Sequence, residues 1–303
     1  MEKASSRTVP RVFHEDDYVT GERLSGFADV SLYERQYVER FPALRQYARH
    51  IVYLNEPLES GSASHALLRT SRVFFTRVDW LSYFVETVLP VVETEVILIT
   101  HMSDMTSGMH EALVGSTKLA KWYGCNMRPS HKTEALPLGL ENPGMWNRTD
   151  FHQIYRASST AKTELLHVYF DVMTNKPVRA GVLRALNRNG FKMNPKRSWD
   201  RYIEELSRHK YCACPRGNGI DTHRVWECLY LGVVPVVERV PELYIWYKDL
   251  PILWVESFTM VTVEFLHDNY DSVRQKQQHS LLRSTASMRF LRKTILRRAQ
   301  RLY

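Results

Sequence analysis

The stretch YCACPRGNGIDTHRVWECLYLGVVPVV, residues 211–237, reads as strand, turn, helix, turn and strand. Tyr211 to Cys214 is a short β-prone run that Pro215 closes, and Gly217 and Gly219 give the backbone freedom for a tight turn around a ligand. Asp221 or Thr222 can cap the helix that follows, whose apolar side carries Val225, Trp226 and Leu229; Gly232 ends it before a second buried strand, Val233 to Val237. Strand, loop and helix in this order aim backbone N–H groups and a positive helix end at one point, and the natural guest there is an anion. Arg216 and Arg224 add guanidinium groups that match phosphate oxygens bidentately. Glu227, three residues after Arg224, shares its helix surface, and beside a phosphate site its carboxylate suits ribose hydroxyls. The set then describes a nucleoside diphosphate cradle. The plainer reading is an ordinary βαβ edge in which Arg224 and Glu227 pair.

The run PRGNGIDTHRVWE at 215–227, followed by LGVVPVV at 231–237, resembles the donor-site signature of exostosin-like glycosyltransferases, most of all the short soluble members carried by large algal viruses and unicellular eukaryotes. The resemblance implies an α/β fold of the GT-B kind, with two Rossmann-like domains facing across a cleft and the nucleotide sugar held by the second. On that resemblance Arg224 faces the diphosphate and Glu227 the ribose. Arg216, Gly217, Asn218, Gly219, Asp221 and Thr222 belong to the donor loop, in which His223 either touches phosphate or sugar or has its ring satisfied structurally. YFDVMTNKPVR at 169–179 resembles the first strand and loop of the same domain, which makes Arg179 a second phosphate contact. LITHMSD at 98–104, WYGCN at 122–126, HK at 131–132 and LPLGLEN at 136–142 also resemble the family, with Met102 standing where the family has Asn.

A chain of 303 residues with 44% hydrophobic content has room for two domains. The boundary is expected near 158, giving an acceptor-side domain over 1–158, a nucleotide-sugar domain over 159–270 and a C-terminal helix over 271–303. Residues up to about 30 read as an arm or loop. Tyr33, Tyr37, Phe41, Leu44, Tyr47 and Ile51 carry a helical period. Val73–Phe75, Val96–Thr100 and Leu136–Leu140 read as strands, the last delivering Glu141 and Asn142 to ligand, and helices are expected over 178–188 and 199–209. Asn147-Arg148-Thr149 is a glycosylation sequon expected to stay unmodified.

The net charge of +8 is local: nine Lys and Arg follow Asp271 without one acid, so the remainder carries a formal −1. That basic tail has apolar positions at helical spacing and is expected to pack as an amphipathic helix on the body; binding of an anionic glycan, a membrane surface or RNA is the alternative. No nucleic-acid function is expected of a near-neutral body. Neither a membrane-length apolar run nor a signal-peptide block is present, which points to the cytoplasm, or to the Golgi lumen if an N-terminal anchor has been removed. Cys125, Cys212, Cys214 and Cys228 read as buried reduced thiols, and no metal-ligand spacing is evident.

Transfer of a sugar from a nucleotide diphosphate builds negative charge on the leaving phosphate, which Arg179, Arg216, Arg224 and the helix beginning near Thr222 would meet without a metal or other cofactor. No Asp-x-Asp pair stands at a strand end to hold manganese. Inversion needs a base from the first domain: Asp79, at a helix mouth beside Trp80, is favoured, with Asp104 and His101 next, although Asp79 can equally serve as an N-cap. The expected donor is a nucleotide sugar, by family habit UDP-linked, with UDP-xylose one candidate, and the acceptor a glycan or glycoprotein hydroxyl. A protein that binds nucleotide sugar, or a polyanion through its tail, without catalysis is the other reading.

Overall fold

The computed structural model describes residues 13–54, 56–105, 110–143, 149–276 and 286–302. The chain divides into two compact units, each assembled from two segments: Val19–Trp146 with Met288–Tyr303, and Met1–Tyr18 with Asn147–Ser287.

The first unit is built on a six-stranded, all-parallel sheet: β1 (Val30–Tyr33), β2 (Ile51–Tyr53), β3 (Val73–Arg77), β4 (Val96–His101), β5 (Leu119–Gly124) and β6 (Thr133–Ala135), in the order β2-β1-β3-β4-β5-β6. Every residue of β4 is buried, as a central parallel strand covered on both faces requires. A short helix, α1 (Gly21–Ser25), capped by Thr20, precedes β1, and α2 (Ala63–Thr70), capped by Ser62, leads into β3.

The second unit carries a four-stranded parallel sheet, β7 (Glu164–His167), β8 (His209–Ala213), β9 (Val234–Glu238) and β10 (Leu253–Val255), in the order β10-β9-β8-β7. Its helices are α3 (Phe151–Ala157), α4 (Lys176–Arg188), α5 (Trp199–Ser207), α6 (His223–Leu231) and α7 (Val263–Gln275). Thr222 caps α6 through its hydroxyl, and Gly232 ends it in the left-handed region at φ 69°. The last helix, α8 (Met288–Gln300), returns to the first unit, where Met288, Leu291, Ile295 and Ala299 join the core of Phe75, Ile97 and Ile99. Its basic residues, Arg292, Lys293, Arg297 and Arg298 among them, stay exposed. Among the described residues no helix is long and apolar enough to cross a membrane.

An α/β fold with two parallel sheets is what the sequence led us to expect, and several local readings are corrected. The chain passes from one unit to the other at 146/147 rather than 158, because Asp150 caps α3 and that helix packs on α5 and α6 of the second unit. Residues 13–30 are no arm: Tyr18, Val19 and Leu24 are fully buried. The helical period over 33–52 fails at both ends, which lie in β1 and β2, and Pro42 separates the two short helices between them. Leu136–Leu140 continues past β6 without being a strand, since Gly139 at φ 67° turns the chain at a place where a Cβ would collide with the Val19 carbonyl oxygen. Asn147 and Arg148 of the sequon, and Leu281 and Leu282 of the tail, lie outside the described residues.

Candidate active site

The donor-side loop follows β8 and is fastened from below. Arg179, buried on α4, donates from Nε to the Arg216 carbonyl (3.0 Å), from Nη1 to the Asp171 carbonyl (2.7 Å) and from Nη2 to the Pro215 carbonyl (3.4 Å). Asn175 Nδ2 donates to the Gly217 carbonyl at 2.7 Å. Three consecutive carbonyls are therefore drawn toward the start of α4. In a planar trans peptide the N–H points opposite to its C=O, so the N–H groups of Arg216, Gly217 and Asn218 face away from the clamp. Space explains Gly217: a Cβ there would stand 3.2 Å from Arg179 Nη2. Arg179, expected to touch phosphate directly, is thus spent largely on shaping the loop. Burial, and then the charge of Arg224, lower its pKa.

Asp221 is likewise a brace, with both carboxylate oxygens accepting from Trp226 Nε1 (3.0 and 2.9 Å) and Oδ1 also from the Thr222 N–H (2.7 Å). Arg224 and Glu227 do not make an ion pair; both turn to Tyr202 on α5. The Tyr202 hydroxyl donates to Glu227 Oε2 at 2.6 Å, and the Arg224 guanidinium lies 5.1 Å from the Tyr202 ring and 5.6 Å from that of Tyr169, whose carbonyl it also contacts. Burial works against the Arg224 charge, but Tyr202, Glu227 and the neighbouring thiols outweigh it and raise its pKa. Arg216 and Asn218 are exposed, Gly219 is buried and His223 half-buried. Arg216, Val178, Ile220, Val240 and Phe258 help to line a cavity of about 440 Å³ at the carboxyl ends of β8, β9 and β10, the edge where open parallel sheets take ligands.

In the first unit the carboxyl edge centres on Arg77, at the end of β3. Its guanidinium meets Asp79 Oδ2 at 3.2 Å, Glu34 Oε2 at 3.5 Å and the Met102 carbonyl at 3.4 Å, and lies over the Tyr37 ring at 4.7 Å. Asp79 is an exposed ion-pair partner inside a helical turn, Val78–Trp80, whose N-cap position falls to Arg77; the N-cap reading of Asp79 is corrected accordingly. His101 is buried at the end of β4 and donates from Nε2 to the Pro137 carbonyl at 2.9 Å, which leaves Nδ1 as its acceptor side. Asp104 is exposed in the loop beyond. Met102 adopts φ 61°, a conformation that Asn tolerates far better, which gives a backbone reason for the Asn expected at this position.

The residue that sequence reasoning missed is Glu22. It lies on α1 at 1% exposure, and neither carboxylate oxygen meets a donor among the described residues. Burial pushes its pKa up to about 7. The Asn142 side-chain oxygen holds its backbone N–H at 2.9 Å, and the preceding Gly21 brings α1 so close to the end of β4 that a Cβ would stand 2.8 Å from His101 Nδ1. The signal in the sequence was Thr20-Gly-Glu, a cap followed by a first-turn acid amid apolar Tyr18, Val19 and Leu24.

No protein-family model matches the chain. No curated protein matches it either. Among solved structures it is similar to one described as a crystal structure of an alpha1,3-fucosyltransferase, at 11% identity and a TM-score of 0.44 over 98% of this chain and 93% of that one.

Proposed function

We propose that the protein is a glycosyltransferase that moves a sugar from a nucleoside diphosphate sugar to a glycan hydroxyl. The observation that carries this reading is the 215–218 loop, whose carbonyls Arg179 and Asn175 tie back, turning the Arg216 and Gly217 amides the other way in the stretch that leads into α6. Such amides suit the charge that accumulates on a leaving diphosphate as the bond from the anomeric carbon to the phosphate oxygen breaks. Arg216, exposed at the cavity mouth, suits the same oxygens, and Glu227 Oε1 the ribose hydroxyls. UDP is the preferred nucleotide and xylose a candidate sugar, both by resemblance to the exostosin-like family. Inversion without a metal is part of the same reading.

On the acceptor side we favour Glu22 as the base over Asp79, Asp104 and His101. Asp79 is engaged by Arg77, whereas Glu22 has a carboxyl poised near neutral pH, to one oxygen of which an acceptor hydroxyl would donate. The proton leaving that hydroxyl would pass to Glu22 as the new glycosidic bond forms. Four buried cysteines outside any disulfide fit a reducing compartment such as the cytoplasm.

A second reading has one observation in its favour: Arg297, Arg298 and Arg301 of the tail line a cavity of about 300 Å³ with Tyr123 and Glu134, a surface suited to a polyanion. Thermal-shift titration of UDP, GDP and their sugars with and without EDTA separates the two. A shift with one nucleotide that survives EDTA supports the transferase. Shifts with heparin but with no nucleotide overturn it.

A further inference from the structure

Directly behind the donor loop lies a cluster of side chains that donor binding does not use. Cys212 on β8 and Cys214, one residue past its end, share a face, Cys228 on α6 looks onto them, and all three are fully buried with their sulfurs within 4.8 Å of one another. Cys214 Sγ and Cys228 Sγ stand 3.9 Å apart. A fourth donor comes from the neighbouring strand: β7 sets His167 opposite Cys212, and His167 Nδ1 lies 3.8 Å from Cys212 Sγ. A tetrahedral zinc with Zn–S bonds of about 2.3 Å holds its sulfurs about 3.8 Å apart, close to the Cys214 to Cys228 spacing.

We propose that Cys212, Cys214, Cys228 and His167 bind a structural zinc ion. Three buried thiols lie within 4.8 Å of one another, and the His167 imidazole touches one of them, Cys212; with the imidazole turned onto the ion they supply the donors of a closed Cys3His site, in which no coordination position is left for substrate. Binding takes all three sulfurs as thiolates and leaves a site of net charge −1. The surroundings suit that charge: the Arg224 guanidinium interacts with Cys212 and Cys214, and the Lys162 ammonium with Cys228. The Lys162 ammonium also donates to the Ser207 and Leu231 carbonyls at 2.6 and 2.8 Å, closing the ends of α5 and α6 against the same region. The ion would pin β7, β8 and α6 to one another immediately behind the 215–222 loop. The spacing in sequence concealed the site because the histidine arrives from a different strand, forty-five residues before Cys212.

The test is metal content, which is independent of any transferase activity. The full chain is purified without chelator or metal-affinity resin and analysed by elemental mass spectrometry; about one zinc per chain is expected. Cys214→Ser and Cys228→Ser should each lose it, while Cys125→Ser, altering the fully buried thiol of the other unit, should keep it. Should the serine variants fail to fold, cobalt exchange into the wild-type chain decides: intense tetrahedral d–d bands with thiolate-to-cobalt charge transfer support the site. A chain that purifies without zinc and takes up neither zinc nor cobalt overturns the proposal. So does zinc retained at full stoichiometry in folded Cys214→Ser, or a Cys214–Cys228 disulfide found by mass spectrometry of the unreduced protein.

Discussion

Arg179 shows how little a side chain's identity says about its task until its partners are known. A buried guanidinium spread over three carbonyls can be replaced neither by Lys, which lacks the fork, nor by an apolar residue, which leaves the carbonyls unpaired. Arg179→Met and Arg179→Lys should each cost about 3 kcal/mol in urea unfolding, and both should weaken nucleotide binding in calorimetric titration by at least about tenfold. Glu22 makes the opposite case, of a residue whose carboxylate meets no donor among the described residues. Its folded pKa of about 7 lies above the usual 4.5, so the folded state holds the proton more tightly. Stability is therefore fully present below pH 4.5, falls as pH rises to about 7, and is level above that, a loss of at most about 3 kcal/mol. Glu22→Gln should flatten this slope, making the variant the more stable protein at pH 8 and its equal at pH 4, while abolishing transfer and leaving nucleotide binding intact. A variant with the wild-type slope would remove the basis for assigning Glu22 as the base. Sequence singled out Arg179 through resemblance but not its role, since hydrogen bonds to backbone carbonyls leave no trace in residue type. Glu22 stayed hidden because an isolated acid in a polar-looking N-terminus resembles a solvated one.

At the scale of elements, legibility followed the strength of local chemistry. The β8–loop–α6–β9 unit was readable because each step is punctuated: Pro215 after the strand, Thr222 as cap, Gly232 as stop. The 33–52 stretch misled because aromatic residues at helical spacing also satisfy two short strands and the pair of helical turns between them, and only parallel pairing of β1 with β2 decides the matter. Thr222 itself offers a test. Its hydroxyl accepts from the Arg224 N–H at 3.1 Å, so Thr222→Ala should destabilise by about 1 kcal/mol. Thr222→Ser should restore that loss, which chemical denaturation can check. The loss of nucleotide affinity in the alanine variant should be small beside that of Arg179→Met, because the cap steadies the helix end whereas Arg179 shapes the loop.

On the scale of the whole molecule, each unit has its own core and each borrows a terminus. Phe13 and Tyr18 pack on the Tyr230 ring at centroid distances of 4.9 and 4.8 Å in the second unit, while α8 completes the core of the first. The apolar stripe of α8 announced that it packs on the body, as it does; the burial of Phe13 and Tyr18 was not visible, because that stretch carries no such period. The consequence is measurable by hydrogen exchange on the full chain. Ile295→Ala removes a fully buried side chain from the first core and should cost about 2–4 kcal/mol. If the stripe of α8 serves that core alone, faster exchange should appear across β3, β4 and β5 and not across β7 to β10. Saturation with nucleotide should do the converse, since a ligand at a hundred times its dissociation constant stabilises what it binds by about 2.7 kcal/mol. Protection is then expected to rise over 169–179 and 215–227 and to leave the core around α8 unchanged. Protection spread instead over the arginines of α8 would move the binding site to the tail and favour the polyanion reading.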